Sequence, residues 1–222
     1  MIGCLVGSEM CIRDRILANV GKPDLSTTVF GRKISMPIFL SPAAMQRLYH
    51  PEGDKASARA AEKFNTFYSM STMSNNSIEQ IANLSSGPKL FQLYIHKDQS
   101  ITDDLIDRCK RANFDGLCLT VDTIVAGNRE RDHRTGFTTP PKLTLKSLFS
   151  FAIKPKWVFD YLTNEKFELS NVKNKTDKGT NITKSVIEYI NEQYDPGMNW
   201  SDAEYVVTVS YTHLRAHETA YH

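Results

Sequence analysis

Long apolar runs are missing from these 222 residues, so nothing in the chain reads as a helix spanning a bilayer. A surplus of charge is missing too. Lys and Arg number 27 against 25 Asp and Glu, a formal net of +2, which is no footprint for nucleic acid. No GxGxxG follows the first strand-like run, which counts against a dinucleotide-binding sheet. There is no internal repeat and no low-complexity tract. Cysteine is scarce. Of Cys4, Cys11, Cys109 and Cys118, only the last two lie outside the chain ends set aside below, too few for a disulfide framework, so a reducing, cytoplasmic setting is the simple expectation. Hydrophobic residues, at 41%, are compatible with a packed core.

The two ends lack the period of a helix or a strand. CLVGSEMCIRDR, Cys4 to Arg15, and VSYTHLRAHET, Val209 to Thr219, can both be written from one DNA segment, read on opposite strands with a frame shift. That segment resembles a transposase-type sequencing adapter. Residues 1–15 and 208–222 are therefore expected to be adapter-derived and are excluded from fold reasoning. The native insert is expected to be Ile16 to Val207, cut artificially at both ends. Of the cysteines only Cys109 and Cys118 then remain, and of the histidines only His50, His96 and His133. The net charge does not move, because Arg13, Arg15 and Arg215 balance Glu9, Asp14 and Glu218.

From Met36 the insert falls into a beat. MPIFL, Met36 to Leu40, reads as a short apolar strand ending in SPAAM. GDKASARAAEKF reads as a helix with Pro51 near its start. TFYSMS, Thr66 to Ser71, is strand-like by its aromatics. Ser77 and Gln80 have capping-box spacing, opening a helix to Leu84 that Gly87-Pro88 breaks. KLFQLYI, Lys89 to Ile95, is a third strand. Ile101, Leu105, Ile106 and Cys109 mark a helix from about Ser100 to Ala112. GLCLTV, Gly116 to Val121, is a fourth strand. Strand and helix alternating, with near-continuous apolar strands, implies an α/β parallel sheet covered by helices. It fits a doubly wound sheet or part of a (β/α)8 barrel, and a whole barrel needs about 250 residues. After Val121 the beat stops, and a long irregular loop runs from about 122 to 185. Within it Leu145 to Leu162 reads as helical, and Asn171 to Asn181 as polar and mobile. Ser185 to Glu192 and Ser201 to Val207 look like helix starts.

Chemistry on parallel sheets lies at the C-terminal strand ends. There the sequence places Ser41, Pro42, Ala43 and Ala44, then Ser69, Ser71 and Thr72. Gln92 and Tyr94 share one face of the third strand, and Thr120 and Asp122 one face of the fourth. Arg129 follows in a loop. Each has a plain alternative: Ser71 and Thr120 as helix caps, Asp122 as a loop residue, Arg129 as a solvated charge in RERDHR. Gln92 is harder to dismiss, because a buried amide needs partners. His50, His96 and His133 read as surface or cap groups without metal-ligand spacing. The two cysteines read as core or helix-face residues. Taken together, small backbone-exposing residues suit a flat ring. Ser, Gln and Thr suit the polar edge of a flavin pyrimidine, and a carboxylate with an arginine suits a small anionic substrate.

At these residues the sequence resembles the FMN-dependent α-hydroxy-acid dehydrogenase and oxidase family. The resemblance rests on KISMPIFLSPAAMQRLYHPEGDKASARAA, FQLYIHKD, LTVDT and GNRERDHRTGFTTPPKLT, and runs from about Arg15 to Tyr205. It implies the N-terminal half of a (β/α)8 TIM barrel, four strands of eight, and FMN as cofactor. The implied activity is oxidation of an L-2-hydroxy acid, lactate-like, to the 2-oxo acid, with hydride passing to FMN. Pro42, Ala43 and Ala44 match the stretch whose backbone lies against the flavin ring, with Ala43 where Thr is usual. Ser71, Gln92 and Thr120 match flavin-ring contacts. Tyr94 matches the tyrosine that hydrogen-bonds substrate, Asp122 the partner of the catalytic histidine, and Arg129 the grip on the substrate carboxylate. Met73 stands where glycolate oxidase has a tryptophan.

The same resemblance places the catalytic histidine, a second arginine, a lysine and the phosphate site beyond Val207. The fragment alone is therefore expected to be inactive. The electron acceptor is left open among quinone, cytochrome and oxygen, and the intact protein is expected to be a homo-oligomer. The basic, aromatic stretch Lys146 to Tyr161 raises a peripheral membrane contact, weighed against a helix packed on the barrel or in a subunit contact. Other FMN- or phosphate-binding barrels, and a non-catalytic relative, are the competing readings.

Overall fold

The computed structural model describes residues 21–122, 130, 134, 145–165, 167–172 and 193–210. A hairpin not foreseen from sequence comes first: β1 (Thr27–Val29) pairs antiparallel with β2 (Arg32–Ile34). Phe30 and Gly31 make its turn, both with positive φ, as a two-residue hairpin turn demands. Ile34 is buried with Phe67 and Leu90 under the edge of the main sheet.

Then come α1 (Asp54–Lys63), β3 (Tyr68–Ser71), α2 (Ile78–Leu84), β4 (Lys89–Leu93), α3 (Gln99–Arg111) and β5 (Gly116–Leu119). The strands are parallel in the order β3-β4-β5. Every residue of β3 and β4 is buried, as in a parallel sheet covered on both faces, and this includes the polar Ser69, Ser71, Lys89 and Gln92. The stripe on α3 packs as expected, with Ile101, Leu105, Ile106 and Cys109 all in the core. The capping box is present in full. The Gln80 N–H donates to Ser77 Oγ at 3.2 Å and the Ser77 N–H to Gln80 Oε1 at 2.9 Å.

The strand expected at Met36–Leu40 shrinks to one parallel bridge, Leu40 to Tyr68. Pro37 has no N–H to give a ladder, and the Ile38 N–H turns back to the Met36 carbonyl at 2.8 Å. Leu40 alone pairs, donating to Phe67 O and accepting from Ser69 N. The expected helix start at Pro51 also moves. Gly53, at φ 48°, is the N-cap of α1, and a Cβ there would sit 2.5 Å from Arg47 Cγ.

The helix expected over Leu145 to Leu162 is two, α4 (Leu145–Ala152) and α5 (Pro155–Thr163). Pro155 pushes Lys154 out of helical geometry, to φ −128° and ψ 56°, and then serves as a first helical residue. Asn171, expected to be mobile, is buried. Its side-chain Oδ1 accepts from Ile78 N at 3.0 Å, and its carbonyl accepts from Arg108 at 3.0 Å. The last helix, α6 (Trp200–Ser210), runs past Val207. The helix start expected at Ser185 to Glu192 lies outside the described residues, as do 1–20 and 211–222. Among the described residues no barrel closes, and no helix is long and apolar enough to cross a membrane.

Candidate functional site

Register builds the site. Ser71 on β3 pairs with Gln92 on β4, and Gln92 pairs with Cys118 on β5. Thr120 lies two residues further, on the same face as Cys118. The three polar side chains join in one line. Ser71 Oγ donates to Gln92 Oε1 at 3.1 Å, and Gln92 Nε2 donates to Thr120 Oγ1 at 2.9 Å. Gln92 is 4% exposed, so these bonds offset the cost of burying its amide. Its carbonyl is held as well, by the N–H and hydroxyl of Thr72 at 3.1 and 2.6 Å. Ser71 Oγ accepts from Met73 N at 3.2 Å.

The row ends on a half-buried Thr120. Its hydroxyl accepts from Gln92 and keeps its own proton to give. The Gln92 amide uses one N–H and one oxygen lone pair, leaving one of each. A short row of donors and acceptors, supported from below, fits the alternating carbonyl and N–H edge of a flavin pyrimidine.

Pro42 and Ala43 are exposed and Ala44 is half-buried. This loop is tied to the end of β3 by the Met45 N–H, which donates to Met73 O at 3.2 Å. Met73 itself is buried in the core. Tyr94 stands just beyond β4 and is half-buried, stacked on Tyr194 with ring centroids 4.5 Å apart and planes 24° apart. Asp122 is exposed past the end of β5. Arg129 lies outside the described residues. The structure thus brings Ser71, Gln92 and Thr120 into one bonded row and sets Tyr94 and Asp122 just past the ends of β4 and β5.

Two features were not legible in the sequence. Tyr194 reaches back from the segment before α6, where Gln193 O accepts from Lys97 N at 2.8 Å and residue 194 bridges to His96. His96, expected at the surface, is 1% exposed and meets Tyr194 edge to face at 5.4 Å. Burial pushes its imidazole down to about 4. The second feature is a buried carboxylate, Asp54, beneath the 42–48 loop. Nothing in its sequence position separates it from an ordinary acidic residue of a first helical turn. Burial raises the thiols of Cys109 and Cys118 above the usual range, in keeping with packing residues. Among the described residues no cluster of His, Cys, Asp or Glu is arranged to hold a metal.

Known proteins resemble this chain in sequence and fold. The profile of a family described as FMN-dependent dehydrogenase matches residues 8–214. Glycolate oxidase 5 of Oryza sativa subsp. japonica is 36% identical over 203 residues, 91% of this chain and 49% of that one. A solved (S)-mandelate dehydrogenase, described as a monotopic membrane protein, superposes with a TM-score of 0.79 at 28% identity, over 88% of this chain and 51% of its own. A Pediococcus acidilactici protein assigned as a lactate oxidase gives 0.63 at 28% identity, over 88% and 44%. The chain spans about half the length of the curated relatives it matches.

Proposed function

The chain belongs to the FMN-dependent dehydrogenase family, and from that premise we propose that the whole protein oxidises a small L-2-hydroxy acid, lactate-like, to the 2-oxo acid. The observation that carries this reading is the bonded row Ser71–Gln92–Thr120 across three adjacent strand ends. In the proposal the row holds the flavin's pyrimidine edge, and the backbone of Pro42, Ala43 and Ala44 lies against the ring. When bound, FMN supplies the two-electron redox chemistry. The rest falls to this protein's side chains. Arg129 grips the substrate carboxylate with a two-pronged, charge-assisted contact. Tyr94 donates to the substrate from just past the end of β4. Asp122 favours the charged form of a histidine that takes the hydroxyl proton, and the resemblance sets that histidine outside this chain.

The fold belongs to the same proposal. Leu40, β3, β4 and β5 are successive parallel positions, read as the first four strands of a (β/α)8 barrel. The segments 1–15 and 208–222 are read as non-native, and residues 16–207 as a partial domain inactive by itself. Reading the source DNA past the codon for Val207 tests this directly. A lysine-ending strand followed by a histidine motif is expected. The full-length product is then loaded with FMN and mixed anaerobically with L-lactate, and bleaching of the flavin band is expected. A protein that holds FMN but is bleached by neither lactate, glycolate nor mandelate overturns the hydroxy-acid reading.

Peripheral membrane contact is kept as a second reading because of the α4–α5 hairpin. Phe149, Ile153, Phe159 and Leu162 are exposed there beside Lys154 and Lys156.

A further inference from the structure

We infer that Gln46 is a positioning residue for the flavin-facing backbone at Pro42–Ala44, held in place by the buried carboxylate of Asp54. The inference rests on the flavin reading above.

The loop after Leu40 is not relaxed chain. Met45 sits in the left-handed region, at φ 55° and ψ 36°, where non-glycine residues persist only when contacts over-determine them. Its own N–H is held by Met73 O at 3.2 Å, and its neighbour adds further contacts. Gln46 Nε2 donates to Ala43 O at 3.4 Å and to Asp54 Oδ1 at 3.2 Å, while its Oε1 accepts from Ser57 Oγ at 2.7 Å. The orientation of this amide is fixed by chemistry. A carboxylate and a carbonyl only accept, so Nε2 faces them and Oε1 faces the hydroxyl.

Asp54 is 0% exposed. Its Oδ1 also accepts from Tyr68 OH at 2.8 Å, and Tyr68 lies on β3 three residues before Ser71. A buried carboxylate is costly; Oδ2 has no hydrogen-bond partner among the described residues, so Oδ1 carries the bonds, and these connect three elements. One network therefore ties the carbonyl of Ala43 to α1, through Asp54 and Ser57, and to β3, the strand that ends in Ser71. It sets the spacing between the loop and the strand end, the gap across which the ring is proposed to lie. The same carboxylate would be explained as first-turn stabilisation of α1, but that role alone would not draw Gln46 and Tyr68 to one oxygen.

The test uses the full-length product of the gene, titrated with FMN by fluorescence quenching, with the flavin's absorption bands and midpoint potential recorded. Gln46→Ala is expected to raise the FMN dissociation constant at least tenfold and to shift the bands and the potential. Asp54→Asn keeps an oxygen for Tyr68 and Gln46 and is expected to stay within threefold of wild type. If Gln46→Ala does not fold, Ser57→Ala carries the test: it frees the amide to rotate, and about a threefold loss is expected. A folded Gln46→Ala protein with affinity within twofold of wild type and unchanged bands overturns the inference, as does unchanged affinity in Ser57→Ala. Wild type that takes up no FMN overturns the flavin reading and the inference with it.

Discussion

In β3 and β4 and at their ends, polar side chains are buried together with the apolar ones. Ser71, Thr72 and Gln92 sit among Tyr68, Met70, Phe91 and Leu93 and bond to one another. Along α4 and α5 the order is reversed, and the large apolar side chains Phe149, Phe159 and Leu162 face outward. The difference shows where each region's free energy goes. The sheet spends burial on holding polar groups at set positions, which is what a binding site needs. The hairpin leaves large apolar side chains unburied, and exposed apolar area of this kind, where it is contiguous, marks a contact surface. Changes in the sheet should therefore cost stability, and changes on the hairpin's outer face should cost association.

The largest effect is expected at the centre of the sheet. Phe91 is 0% exposed, stands on the middle strand and meets Phe114 edge to face at 6.2 Å. Phe91→Ala removes the ring and leaves a cavity, for a loss of about 3–5 kcal/mol. Urea unfolding checks this. A loss below about 1 kcal/mol would mean the sheet is not the packed unit described above.

The strands, the α3 stripe and the capping box were legible because they rest on local periodicity and spacing. Ser71, Gln92 and Thr120 were legible as strand-end polar residues, since alternation along a strand fixes their face. What sequence did not reveal depends on pairing between distant residues. The bridge at Leu40 replaced a strand because Pro37 removes a donor. Asn171 was read as mobile from its polar surroundings, yet it is fixed by Ile78 and Arg108 from far away in the chain. Tyr194 and His96 meet only because the segment before α6 folds back on the end of β4. Asp54 carries no signal in the sequence, and only the fold shows Tyr68 and Gln46 converging on it.

An effect of similar size should appear with pH at His96. Burial holds its folded value near 4, against an ordinary value near 6.5. The folded state thus resists the proton that the unfolded chain accepts. The contribution is fully present above about pH 6.5 and is lost as pH falls through about 4, for a total of about 3 kcal/mol. Carboxylates titrate over part of the same range, so the measurement is a difference. Unfolding free energies of wild type and His96→Phe are compared at pH 7 and pH 4. The wild type should lose more on acidification. Equal losses would place His96 in water in solution.

The smallest stability effect is expected on the hairpin, and it separates two aromatic residues that the sequence grouped together. Trp157 faces inward: its Nε1 donates to Leu48 O at 2.9 Å, and its ring stacks with Phe151 and Tyr161 at 5.6 and 5.2 Å. Lys55 adds a tie from α1 to Glu165 at 2.8 Å. Phe159 and Leu162, at 67% and 73% exposed, have no comparable role in the fold. Changing both to Ser should alter unfolding free energy by no more than about 0.5 kcal/mol. If the outer face meets a bilayer, the same double change should release the full-length protein from anionic vesicles in a flotation assay. Trp157→Ser should instead loosen the hairpin from the 46–48 turn and lower stability. Vesicle binding that survives the double change, or a parent protein that never floats, removes the membrane reading. A packed subunit contact is then left to account for the exposed face, and a shift in sedimentation of the double variant would mark it.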